Sequence, residues 1–210
     1  MKVMKLLAVL IIPFMFTGCL DFFHSISIHD GEVDMAVRYT IQSALIDMLG
    51  EYSGEKIDID DLLGEADSTI PEYEGFSFEA EPVDTSFHKG VEIHVNGSLD
   101  NITDDNSEKY FLPLKDGDHY RILIPSLADI EELDEMAAVF LSGSKYTMLV
   151  DLTGDLEGVK KVRLIMGNEV LGPDEKDSEI LINTYGSSML IEIPVLFLFY
   201  APEDFYIELS

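Results

Sequence analysis

Apolar and polar residues alternate with a period of two over several short runs of the chain, and each run predicts a half-buried strand. Ser25–Ile28 and Val33–Tyr39 are the first two, separated by His29-Asp30-Gly31-Glu32. Asp-Gly between alternating runs predicts a hairpin, because a tight two-residue turn needs positive φ and these residues tolerate it. Phe76–Ala80 and Val91–Val95 alternate next, with Pro82–Gly90 between them as turn material. Tyr110–Leu114 and Tyr120–Ile124 flank a second Asp-Gly at 116–117. Strands are then expected over Lys145–Leu152, Val159–Met166, Glu179–Asn183 and Met189–Ile193, with Tyr185–Ser188 as a turn. Pro194–Tyr200 is apolar throughout. It is too short to span a bilayer, which takes about 20 residues, and predicts a buried central strand. The alternative is an exposed apolar ridge that meets acyl chains or a partner.

Elsewhere the period lengthens toward 3.6. Ile41, Leu45, Met48 and Leu49 share one helical face and stop at Gly50. Ile57–Ala66, carrying Leu62 and Leu63, predicts a second helix within an acidic insertion over 55–70, ended by Pro71. Ser126 with Asp129 resembles a capping box, and Leu127, Ile130, Leu133, Met136, Ala137 and Phe140 form an apolar face running to Gly143. The expected fold class is α+β, a largely antiparallel β-sheet with hairpins packed against a few amphipathic helices. Residues 25–210 are expected to form a single domain.

The first 19 residues read differently. Lys2 and Lys5 precede an apolar stretch, Leu6–Phe16, and Thr17-Gly18-Cys19 follows. A short basic region, roughly ten apolar residues and small residues at a cut site predict an export signal over 1–18. Phe16-Thr17-Gly18-Cys19 resembles the lipobox of bacterial lipoproteins, whose first residue is usually Leu. That resemblance implies that Cys19 is acylated and becomes the first mature residue, with 19–24 as lipidated anchor and short tether. An ordinary secretory signal with an incidental cysteine, or a core thiol, is the alternative. Cys19 is the only cysteine, so no disulfide can form and the domain must stand on its core. The expected location is the bacterial cell envelope, lipid-anchored on the extracytoplasmic side. Leu20 rather than Asp follows the cysteine, which fits the outer membrane in a diderm host.

Composition narrows the partners. Asp plus Glu number 41 against 13 Lys plus Arg, a net charge of −28. Loss of Lys2 and Lys5 with the leader takes it to −30. Nucleic acid is excluded as a partner, since phosphate binding needs clustered Lys and Arg. Electrostatic adhesion to anionic headgroups is disfavoured for the same reason. At 47% hydrophobic, the chain can bury a core, so the acidity is read as a solvated surface that suits cations or basic partners.

The search for chemistry yields little. His24, His29, His88, His94 and His119 show neither i, i+4 helical spacing nor HExxH. His94 is expected on a strand's solvent face with Glu92 and Asn96. Asp58–Gly64 begins like a calcium loop, but position five is Leu62, the glycine comes one place late, and position twelve is Thr69. Asp100, Asp104, Asp105 and Glu108 also lack that spacing. Gly143-Ser144 is no nucleophile elbow, and carboxylate pairs are expected by chance among 41 acids, with no tryptophan to stack on sugar. The expectation is no catalytic residue, no metal and no cofactor.

The order of elements carries a further likeness. A lipobox cysteine, a strand closing on Asp-Gly (Ile26–Val33) and an acidic helical insertion (Asp58–Asp67) come first. Gly90–Val95 (GVEIHV), an Asp-Gly hairpin, an amphipathic helix and Val162–Gly172 (VRLIMGNEVLG) follow. This layout resembles the LppM-like family of bacterial lipoproteins. The family's Pro-Gly-Glu-Val turn is matched by Met166-Gly167-Asn168-Glu169-Val170, without the proline and with an extra Asn, and the stretch after residue 190 lacks the membrane-spanning segment that many members carry. The resemblance implies a lipid-anchored α+β domain and transfers no catalytic residue. The expected function is non-catalytic binding outside the cytoplasm, with the membrane met through acylated Cys19. A lipid or apolar ligand is placed in a candidate groove along Leu127, Ile130, Leu133 and Phe140. Protein–protein contact, a structural envelope role and a carboxylate-based hydrolase are the alternatives.

Overall fold

A computed structural model of the chain describes residues 20–47, 75–124, 126, 138, 141–167, 169–171 and 180–210. Cys19, the expected second helix and the groove residues Leu127, Ile130, Leu133 and Phe140 lie outside the described residues.

Two-residue turns organise the sheets. β1 (Leu20–His29) and β2 (Glu32–Gln42) pair antiparallel with His29 opposite Glu32. Asp30 and Gly31 take φ of 53° and 79°, the two positive values that a type I′ hairpin turn requires. β5 (Leu114–Asp116) turns at Gly117 into β6 (His119–Ile124). β10 (Leu181–Tyr185) turns at Gly186 into β11 (Ser188–Pro194). β3 (Phe76–Asp84) and β4 (His88–Ser98) are longer than their alternation predicts. Only 85–87 make the turn, and Pro82 lies inside β3. That strand is the edge of its sheet, where a residue without an N–H is tolerated.

Seven strands form the larger sheet in the order β10-β11-β7-β1-β2-β4-β3, where β7 is Lys145–Asp151. All neighbours are antiparallel except β1 and β7. The smaller sheet runs β5-β6-β12-β8-β9, with β8 at Val162–Met166, β9 at Glu169–Leu171 and β12 at Phe205–Leu209, antiparallel throughout. The period-2 rows facing inward are Ile26 and Ile28, Val33 to Val37, Met148 and Val150, and Ile191 and Ile193 from the larger sheet. Ile122, Ile124, Leu164, Phe205 and Ile207 come from the smaller one, and all belong to one buried cluster. Packing one sheet on the other is what removes both rows from water.

The described residues are therefore mostly β, in two sheets dominated by antiparallel pairing, with few and short helices. α1 (Asp104–Tyr110) replaces the first part of the strand expected at Tyr110–Leu114. Its start is fixed locally: Thr103 N-caps it and Asn106 closes the capping box. α2 (Val195–Tyr200) stands where a central strand is expected. A short apolar run has no period of its own to separate helix from strand. Burial of Val195 and Leu198, three apart, shows the helical solution. The helix expected over 41–50 is seen as one turn at 43–47, because Ile41 and Gln42 still belong to β2. Residues 20–24, expected as a tether, are the first half of β1. Among the described residues no helix is long and apolar enough to cross a membrane.

β12 is the middle strand of its sheet. Its outward-pointing Glu208 is only 3% exposed and sits between the strands that carry its partners. Arg163 donates to it through Nε at 2.9 Å and again through its terminal nitrogen, while Arg121 Nε lies 3.7 Å away. Removing this carboxylate leaves two guanidinium groups side by side. Losing one partner of a fully buried pair costs roughly 3–5 kcal/mol; both arginines are half solvated here, which screens the loss. Glu208→Ala is expected to destabilise the domain by about 2 kcal/mol, with Glu208→Gln intermediate. Urea unfolding of the purified chain measures this, and a midpoint unchanged in Glu208→Ala would show that the triad holds nothing.

Candidate functional site

One end of the sandwich carries an apolar cleft of about 140 Å³, neither sealed nor flat. Phe22 and His24 of β1, Val37 and Tyr39 of β2, and Tyr146 of β7 line one side; Ile124 ends β6 on the other, and Phe111 and Leu198 close it. The period-2 alternation of β1 puts Phe22, His24, Ile26 and Ile28 on the same face. Antiparallel register sets Phe22 opposite Tyr39 and His24 opposite Val37. Parallel register sets Phe22 beside Tyr146. Phe22 meets Tyr39 edge to face, with centroids 5.3 Å apart, a favourable arrangement of ring quadrupoles.

The two short helices shape the closing wall. Phe111 follows α1 with φ of 57°, a left-handed conformation uncommon for a bulky residue. It is held there by its N–H to the Ser107 carbonyl and by the Ser107 hydroxyl donating to the Leu112 carbonyl at 2.7 Å. Buried Asn106 donates to the Asn101 carbonyl at 2.8 Å and fixes the helix start. Ser144 ties the rest of this end together. Its carbonyl accepts from Val195 N–H at 3.0 Å, where α2 begins, and its hydroxyl accepts from Leu20 N–H at 3.1 Å, where β1 begins.

His24 is the exception in this wall. It is 1% exposed, with Nδ1 2.6 Å from the Tyr146 hydroxyl, while Nε2 is buried and has no partner among the described residues. Burial in apolar surroundings lowers its pKa from 6.5 to about 3, so the ring is neutral at physiological pH. Burial also raises the Tyr39 hydroxyl, and raises Tyr146 further with Tyr39 beside it. The cleft is thus uncharged: apolar walls, neutral phenols and a neutral imidazole.

A wider hollow of about 310 Å³ lies on the outer face, lined by Asp21, Phe23, Arg38, Thr40, Thr85 and His88 among others. Its polar side chains answer one another. His88 pairs with Asp21 at 3.2 Å, and Arg38 lies over the Phe23 ring and 3.6 Å from Glu92. With Arg121 and Arg163 engaged by acids as well, each of the chain's three arginines has a carboxylate. His94 stands where the alternation predicts, beside Glu92 at 2.9 Å. Asp104 and Asp105 occupy the first turn of α1. Among the described residues no three metal-ligating side chains gather.

The groove residues expected from the sequence, Leu127, Ile130, Leu133 and Phe140, lie outside the described residues; the described lining of the cleft comes from β1, β2, β6 and β7 with Phe111 and Leu198. Its signal was present in β1, where a histidine interrupts an apolar row, Phe22-x-His24-x-Ile26-x-Ile28. No protein-family model matches the chain, and no curated protein matches it.

The unfolded chain protonates His24 near 6.5 and the folded chain only near 3. Between those values the unfolded state holds more protons, so this group's contribution is complete above about pH 6.5 and is lost as pH falls toward 3. His24→Phe should abolish that part of the acid destabilisation. Urea unfolding at pH 7.5 and 4.5 checks it: the parent is expected to lose more stability than the variant, and equal losses would refute the buried neutral ring.

Proposed function

We propose that the protein is a membrane-anchored bacterial lipoprotein whose non-catalytic extracytoplasmic domain holds an apolar or lipid-like group in the cleft between its sheets. The cleft's almost wholly apolar wall carries this reading, since ligand sites are typically apolar concavities with few polar groups. Its size limits the occupant. A cavity of about 150 Å³ accepts one benzene, so a site of about 140 Å³ suits one ring or a few methylenes and not a whole lipid.

Anchoring rests on the lipobox-like Phe16–Cys19, and on the resemblance in layout to the LppM-like family. The fold adds support. β1 is paired from Leu20 onward, and Phe22 is three residues from Cys19, a reach of at most about 10 Å. The turn at this end carries Phe87, 76% exposed, and the helix closing it ends in Tyr200, 67% exposed. Aromatic rings of this kind suit a membrane–water interface. The finer fold class, α+β with amphipathic helices on the sheet, rests on the Leu127–Phe140 periodicity. Leu123 supports it, being buried on the face turned away from the sandwich core.

Two experiments test the reading. Cys19→Ala is expected to abolish labelling by a radioactive fatty acid and to release the protein from membranes; undiminished labelling would sink the anchor. For the cleft, an apolar fluorescent probe should bind the purified chain. Val37→Phe, which fills the space from β2, should weaken that binding at least tenfold while the protein stays folded. Undiminished probe binding to a folded Val37→Phe would place the apolar site elsewhere.

A further inference from the structure

Of the chain's three arginines, Arg38 is the one whose donors are not taken up among the described residues. Arg121 reaches Asp116 at 2.9 Å, and Arg163 is hydrogen-bonded to Glu208. Glu92, the acid beside Arg38, stands at 3.6 Å, near enough for charge but too far for a hydrogen bond. It is itself engaged by His94 at 2.9 Å. Arg38 lies instead over the Phe23 ring, 5.1 Å from its centre. Stacking of this kind holds a guanidinium while leaving its fork of N–H groups open. Arg38 lines the outer hollow of about 310 Å³, and register explains that hollow. Thr40 stands between Asp21 on β1 and Gly90 on β4, with Val83 next on β3. Gly90 brings no side chain to this row, so the surface is open there. Thr40 and Thr147 add hydroxyls to the lining that have no partner among the described residues.

Resting on the anchor reading above, we infer that this hollow binds the headgroup of an ethanolamine phospholipid, a zwitterionic phosphate ester, with its phosphate on Arg38 and its ammonium on Asp21. Among the described lining residues Arg38 is the one permanent cation and Asp21 the one carboxylate. Phe23 faces Arg38 and Asp21 faces Thr40, so the two charges sit on diagonal positions of paired strands. Such neighbours are about 7–8 Å apart, and one small ligand reaches both. A phosphodiester supplies one negative charge to the first, and an ammonium one positive charge to the second. A lone phosphate is disfavoured, because a chain of net charge −28 repels it; a zwitterion escapes that repulsion. A primary ammonium is preferred to a quaternary one, since only the former donates N–H to a carboxylate. His88, 3.2 Å from Asp21, ties that carboxylate to the turn between β3 and β4. Asp21 is two residues from Cys19, a reach of at most about 7 Å, so an acylated Cys19 brings the hollow to the headgroup layer.

The test uses the full chain in maltoside micelles, which carry neither phosphate nor amine, and two soluble diesters, glycerophosphoethanolamine and glycerophosphocholine. Affinity is read from the concentration-dependent rise in unfolding temperature. The parent should bind the ethanolamine compound about tenfold more tightly than the choline compound. Asp21→Asn should erase that preference, and Arg38→Gln should weaken both compounds about tenfold. Independently of any variant's folding, the Arg38 Nε–H resonance of the parent should move on adding glycerophosphoethanolamine. A resonance already moved in nanodiscs of ethanolamine phospholipid, and not in discs of choline phospholipid, supports the membrane's own headgroup. One that moves only with the dissolved diester replaces the membrane by a soluble phosphate ester as the source. Equal affinities for the two diesters, or a resonance unmoved in every setting, would overturn the inference, while a fatty-acid label on Cys19 would leave the anchor standing. A chain without that label that still binds the dissolved diester would overturn the anchor and leave the chemistry of the hollow.

Discussion

Everything in the larger sheet hangs on one pairing, that of β1 with β7. To one side of β1 lie β2, β4 and β3; to the other, beyond β7, lie β11 and β10, and every pairing within each group is antiparallel. Among the described strands, the parallel pairing of β1 with β7 is the one that joins these halves into a sheet, and it sets Phe22, His24 and Ile26 beside Tyr146, Met148 and Val150. Ser144 locks its start by accepting Leu20 N–H and Val195 N–H. The same pairing brings the imidazole to the phenol. The core and the cleft are two results of one register.

Local chemistry was legible, and long-range chemistry was not. The Asp30-Gly31 hairpin and the Gly186 turn follow from backbone preferences of two or three residues, and alternation located most of the strands. β12 depends on distant partners: burial of Glu208 needs Arg121 and Arg163, more than 40 residues away in sequence. α2 is not legible, because uninterrupted apolarity carries no period. Tyr110 continues the alternation of the strand expected after it, yet Thr103 and Asn106 cap a helix that ends on it.

The site divides in the same way. His24 stands out in sequence as a polar residue in an apolar row, but its role depends on Tyr146 and the cleft, which only the fold brings together. The groove expected along Leu127–Phe140 rested on helical periodicity alone, and those residues lie outside the described chain. A net charge of −28 pointed to the surface and said nothing of an interior site that carries no charge at all.

The Leu20–Ser144 hydrogen bond spans 124 residues of chain, and that separation governs how the protein can be made. β1 leads the chain, yet one of its two neighbours arrives only after residue 145. Until then its hairpin with β2 is half a sheet with an open edge. Non-local pairing of this kind slows folding, because a long loop must close before any contact rewards it. A chain that folds as it emerges from its N-terminus therefore holds β1 with one edge unpaired until β7 is complete at residue 151.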